Sequence, residues 1–217
     1  MYNIIQLGLL LFIFFLPVSF ILFYYMKGVY GNFSPLTYWI SNLGEEGAKS
    51  QKYFNVTVFT LGFLGIPTIY NLSRVLQPTT LSTIGIILLY ILAITLMLIV
   101  FFPLGKRTMA HLNLSGVLFS SLLFSQIALF YPVYQSAAIS LWASYLSLLV
   151  IGISLTLLMS AVLVQLKYKV IPDNLVKIRP CEKSFLIRNI TLWEWFTLVL
   201  SGVWFFVMSV SVYLALY

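Results

Sequence analysis

One histidine and three glutamates are the groups in this sequence best able to move a proton. His111 is the sole histidine, and Ser115 follows four residues later, so on a helix both side chains share one face. An imidazole oriented by a carboxylate is the arrangement of a general base. Glu45 and Glu46 are the candidates for that carboxylate, or for a metal ligand. Ser41, Asn42, Asn55, Asn113 and Glu194 could bind the polar part of a ligand. Each of these residues also has an ordinary reading. His111 could bond only to water or lipid headgroups, and the Glu45–Glu46 pair could be solvated and matched to Lys49 and Lys52. Glu194, between Trp193 and Trp195, could snorkel to an interface, while Asn42 and Asn55 could be a turn residue and a helix N-cap.

Several chemistries are excluded by residue inventory. A single histidine cannot supply bis-histidine haem ligation or a three-histidine zinc site, so no resident metal or cofactor is expected. Gly44-Glu45-Glu46-Gly47 lacks the strand context and the lysine of a phosphate-cradling loop. Cys181 is the only cysteine, which rules out an intramolecular disulfide.

The elements that must position these residues follow from composition. Of 217 residues, 61% are hydrophobic and 8% charged, and the mean hydropathy is +1.03. A bilayer core about 30 Å thick needs about 20 apolar residues per helix. Six such stretches fit, at about 5–26, 54–73, 82–104, 112–131, 138–165 and 191–215. They use nearly the whole chain as a single integral membrane domain. The first run is too long for a signal-peptide core and has no positive charge before it, so it is expected to be a retained helix.

Alternating the loops across a membrane sorts the charge. Of the 12 Lys and Arg residues, all but Arg74 fall on one face. These are Lys27, Lys49, Lys52, Lys106, Arg107, Lys167, Lys169, Lys177, Arg179, Lys183 and Arg188. Short loops rich in Lys and Arg stay in the cytoplasm. The expected fold is therefore an all-α polytopic transmembrane bundle of six helices, with both termini on the non-cytoplasmic side of the cell membrane. The net charge of +7 reads as topology, with membrane lipids as the natural partner and no role for nucleic acid.

Within that frame the loop at 27–53 is too polar to span and too aromatic for a plain linker. Its Tyr38-Trp39-Ile40 run fits an interfacial or re-entrant segment. The second basic-face loop is a tight turn containing Pro103, Gly105, Lys106 and Arg107. The third, at 166–190, reads as a solvated basic tether. Ser140, Ser144, Ser147 and Ser154 recur at helical spacing, a stripe expected to face other helices, for packing or as a polar conduit. Gly62, Gly65, Gly116, Ser120, Ser121 and Ser125 read as further packing positions, and Pro67 as a kink.

Two stretches, SPLTYWISNLGEEGAKSQKYFN (34–55) and FFPLGKRTMAHLNLSG (101–116), resemble the prokaryotic membrane family named for domain of unknown function 998. The matching positions are Ser34, Pro35, Leu36, Ile40, Ser41, Leu43, Gly44, Phe54, Asn55, Phe102, Pro103 and His111. The resemblance implies a six-span fold and draws the first loop and His111 together. Asn42 stands where that pattern usually has Asp, and an amide cannot serve as a carboxylate base. The resemblance carries no activity with it.

The functional expectation is a lipid-interacting or complex-associated structural protein with a cytoplasm-facing polar site. Its partners would be membrane lipids, another protein or a second copy within the membrane. The alternative is a small membrane enzyme acting on lipid headgroups or isoprenoids, with His111 as base. Transport has less to stand on, because charged residues in mid-span are absent.

Overall fold

A computed structural model of the chain describes residues 4–31, 33–36, 38–168, 185 and 189–217. Most of the basic tether expected at 166–190, Cys181 included, lies outside the described residues. Among the described residues, six helices are long and apolar enough to cross a membrane. They are α1 (Ile4–Tyr30), α2 (Gln51–Val75), α3 (Thr80–Ile99), α4 (Thr108–Gln135), α5 (Leu141–Tyr168) and α6 (Ile190–Leu216). A five-residue 3₁₀ helix, Ile40–Gly44, interrupts the segment between α1 and α2.

Helix boundaries depart from the hydropathy reading where chain chemistry overrides apolarity. The third span was read to residue 104, but α3 stops at Ile99. Proline restricts the residue before it and cannot donate a helical bond, so the chain leaves the helix ahead of Pro103 although the residues there remain apolar. The second helix begins at Gln51 with Ser50 at its N-cap, which puts Asn55 inside the helix rather than at its cap.

Consecutive helices pack side by side, and α6 returns to pack on α1 and α2, closing a ring. Helices surrounded by lipid gain little from the hydrophobic effect when they associate, so close fit and small residues decide the packing. A Cβ on Gly8 would come within 2.6 Å of the Pro67 ring, and one on Gly62 within 2.6 Å of the Ala93 carbonyl. Gly85 and Gly202 leave the space taken by Leu129 and Phe20. Gly116, expected at a packing position, is exposed and meets nothing within 4 Å, and a Cβ on Gly65 would make ordinary contact at 3.7 Å.

The serine stripe of α5 faces α6. Ser147 Oγ accepts the Trp204 indole N–H at 2.7 Å, and Ser211 Oγ accepts the Ser140 backbone N–H at 3.3 Å. Ser144, Ser147 and Ser154 are buried. Near Arg74, Asn71 donates to the Ile5 and Pro67 carbonyls and accepts the Tyr217 hydroxyl, joining both ends of the chain to α2.

Candidate functional site

The candidate site lies at the basic end of the bundle, where α1, α3 and α5 finish and α2, α4 and α6 begin. There the first loop folds inward as a plug. Asn42 makes its turn: Oδ1 accepts the Trp39 backbone N–H at 2.8 Å and Nδ2 donates to Glu45 Oε2 at 3.4 Å. Ser50 Oγ donates to the Leu43 carbonyl at 2.7 Å. Gly44 lets the turn sit against the Phe54 ring, where a Cβ would clash, and Gly47, with φ +80°, turns the chain toward α2.

The apolar residues of the plug then have a place to go. Ile40 and Leu43 are buried with Phe23, Met26, Phe54, Val58 and Ile99. Trp39 reaches a second cluster made by Leu157, Val164 and Ile190. The segment read as interfacial or re-entrant thus turns inward at the end of the bundle, touching both clusters.

Glu194 secures the plug from the far end of the sequence. Its Oε2 accepts the Ile40 backbone N–H at 2.8 Å, and the residue is 4% exposed. Beside it the Trp195 indole donates to the Tyr38 carbonyl. This is not the snorkelling arrangement.

Glu45 and Glu46 have different settings. Glu45 Oε2 accepts from the Tyr30 hydroxyl at 3.2 Å and from Asn42. Glu46 is exposed and lies 3.6 Å from Lys106 Nζ, while its backbone N–H donates to the Leu104 carbonyl. Among the described residues neither pairs with Lys49 or Lys52, and neither bonds His111.

His111 is buried, and a carbonyl orients it instead of a carboxylate. Its Nδ1 lies 2.8 Å from the Phe102 carbonyl oxygen. A carbonyl only accepts, so Nδ1 carries the proton and the neutral ring keeps its lone pair on Nε2. That Nε2 is buried without a partner among the described residues, as are Thr191 Oγ1 and Trp193 Nε1. Buried polar atoms are ordinarily paired, and leaving one unpaired costs about 1–3 kcal/mol. The remaining candidates do not converge here: Asn113 is exposed, and Ser41 and Asn55 are half-buried.

Beneath the plug the helices line a partly open cavity of about 110 Å³. Helices α1, α2, α3, α4 and α6 line it, with Phe12, Phe20, Gly65, Leu92, Leu118 and Phe205 among the walls. Its hydroxyls turn away to their own helices, Ser19 to the Leu16 carbonyl, Thr197 to Trp193 and Ser201 to Thr197. What remains is a carbon surface. Apolar cavities stay dry, and this one, at about 110 Å³, is smaller than the void of about 150 Å³ that holds benzene, so it has room for only a short segment of hydrocarbon.

Helical periodicity ties the polar residues to that cavity. On α4, Leu118 and Leu122 line it, and His111 precedes them by seven and eleven residues, on the same face. On α6, Leu198, Ser201 and Phe205 line it, and Glu194 precedes them by four, seven and eleven. Thr191 is seven residues before Leu198, near the same face. Sequence reading singled out His111 and Glu194 and did not single out Thr191 or the cavity. The only signal for the cavity was the shared spacing of α4 and α6.

A family model described as a protein of unknown function, DUF998, matches residues 13–211. No curated protein and no solved structure matches the chain.

Proposed function

This chain belongs to the DUF998 family of proteins of unknown function, and from that premise we propose that it is a lipid-interacting, multi-pass protein of the cell membrane. The cavity receives a short segment of the hydrocarbon chain of a membrane lipid, and His111 and Glu194, on the cavity-facing sides of α4 and α6, lie toward the lipid's polar end. The basic end faces the cytoplasm, as the Lys and Arg bias requires. The observation that carries this reading is the carbon-walled cavity of about 110 Å³, with His111 two turns before Leu118 on α4 and Glu194 one turn before Leu198 on α6. A large apolar pocket with a few converging polar groups is the usual form of a small-molecule site.

A lipid carrying a photoreactive group in its chain tests the proposal. Labelling at Leu118, Phe119 or Phe205, competed by unlabelled lipid, supports it. Labels confined to outward-facing residues such as Phe124 and Leu148 would count against it. A stoichiometric protein retained on purification, with no lipid in the cavity, would favour the complex-associated role.

One observation favours a second reading, a small membrane enzyme acting on lipid headgroups or isoprenoids. The Phe102 carbonyl fixes the His111 tautomer with Nε2 unprotonated, as a general base requires. Loss of a lipid-modifying activity in His111→Gln at unchanged abundance would support it.

A further inference from the structure

Between α4 and α5, in the middle of the membrane, the chain buries polar groups that the bundle leaves unsatisfied. Gln126 is 0% exposed, and neither its Oε1 nor its Nε2 has a partner among the described residues. Ser154, also 0% exposed, has an unpartnered Oγ. Buried polar groups are ordinarily paired with protein or with ordered water.

Helix packing turns the two residues toward each other. Gln126 follows Phe119 by seven residues and precedes Val133 by seven, so the three share one face of α4. Phe119 packs against the cluster of Leu157, Val164 and Ile190, and Val133 belongs to the cluster that holds Ala143 and Val150. That face therefore meets α5, on which α4 packs. The turn joining the two helices centres on residue 138, which sets Gln126 level with Val150 and Leu122 level with Ser154. Side chains on a helix lean toward its N-terminus. In this antiparallel pair the Gln126 amide leans toward the depth of Ser154, and Ser154 leans back toward Gln126. The offset of about 6 Å between their Cα atoms along the axis is narrowed from both sides.

The neighbouring serines are already committed. Ser147 Oγ accepts the Trp204 indole N–H and donates to the Ala143 carbonyl, and Ser160 Oγ donates to the Thr156 carbonyl. Ser144 Oγ, also unpartnered, lies beyond Ser147, about 15 Å along α5 from Ser154. The stripe is thus interrupted on both sides of Ser154, which makes a local site and not a conduit.

Charge and size define what the site takes. Between His111 and Lys167 the sequence has no Asp, Glu, Lys or Arg, so an ion there would lack a counter-charge. An amide and a hydroxyl both donate and accept, which suits a neutral molecule that does the same. Both residues are closed off from the surroundings, so the molecule is small. Water meets these terms, and buried waters typically make about 3 hydrogen bonds to groups the protein leaves unpaired.

We propose that Gln126 and Ser154 form an internal water-binding site in mid-membrane, where water bridges the Gln126 amide to the Ser154 hydroxyl. This inference stands independently of the lipid-binding reading.

Hydroxyl radicals generated from bound water by a brief X-ray pulse test it, with mass spectrometry of the full-length protein in mild detergent as the readout. Val150 and Leu89 are both 0% exposed, and only Val150 lies beside the site. Val150 is expected to take up oxygen while Leu89 stays unmodified. Gln126→Leu, which removes the amide at similar volume, should lose the Val150 label. If that variant does not fold, Ser154→Ala replaces it, with the same loss expected. Val150 labelled no more than Leu89 in the wild type would overturn the proposal, and so would a Val150 label that the folded variant retains.

Discussion

The Glu194 carboxyl oxygen accepts the Ile40 amide proton at 2.8 Å across 154 residues of sequence. This bond closes the end of the bundle, because Ile40 begins the 3₁₀ turn that plugs the ring and Glu194 stands one turn above the cavity wall on α6. Removing the acceptor strands a buried N–H. Glu194→Ala is expected to lower stability by about 1–3 kcal/mol, and Glu194→Gln, which keeps a carbonyl oxygen at that place, by less. Chemical denaturation in detergent measures both; equal losses would mean that the bond is not what the carboxyl contributes.

Asn42 works as an amide. It accepts from Trp39 and donates to Glu45, and a carboxylate could perform only the first task. Asn42→Asp is expected to destabilise the plug by about 1–3 kcal/mol, the cost of a buried group without its partner. Adding Glu45→Gln should recover most of the loss, since the new amide can donate in the reverse direction. Additive losses in the double variant would sink the pairing.

The glycines separate by what they touch. Gly202→Ala meets the Phe20 ring and should cost about 1–3 kcal/mol through overpacking, with Phe20→Leu relieving it. Gly116→Ala has open space and should be neutral or slightly stabilising through helix propensity. Thermal unfolding of the three variants checks the ranking.

Between α5 and α6, Ser147→Ala removes the acceptor of the Trp204 indole. Interhelical bonds in membranes average about 0.6 kcal/mol, so a loss near that value is expected. A Ser147→Ala/Trp204→Phe cycle isolates the coupling, and coupling of zero would reduce the serine to a spacer.

The single cysteine reports orientation without engineering. Cys181 lies between α5 and α6 in sequence. It should resist a membrane-impermeant maleimide in intact cells and react in inverted vesicles. Labelling in intact cells would place that loop outside and reverse the orientation.

The six helices were legible because lipid demands long apolar runs with internally bonded backbone, and nothing else in the chain could meet that demand. Their ends were less legible: apolarity runs on through Phe101 and Phe102 after the helix has stopped, so hydropathy overshoots. At the first loop, polarity was visible, but the inward turn of Ile40 and Leu43 depends on Asn42, Gly44 and a glutamate 154 residues away from Ile40. No local pattern records such a pairing. Choosing among small residues failed for a related reason. Composition marks Gly116 and Gly202 alike, and only the neighbouring helix distinguishes them. His111 stood out by type, yet its orienting partner is a backbone carbonyl, a group every residue carries.

The most direct test of the proposal that the cavity binds lipid is native mass spectrometry of the protein released from mild detergent, wild type beside Gly65→Phe. Gly65 lines the cavity and its added Cβ would make only ordinary contact, so the phenyl ring can fill the space without displacing a helix. The account predicts one tightly held lipid per wild-type chain and none in the variant. A wild-type protein without lipid, or a variant that keeps the same lipid, would contradict it.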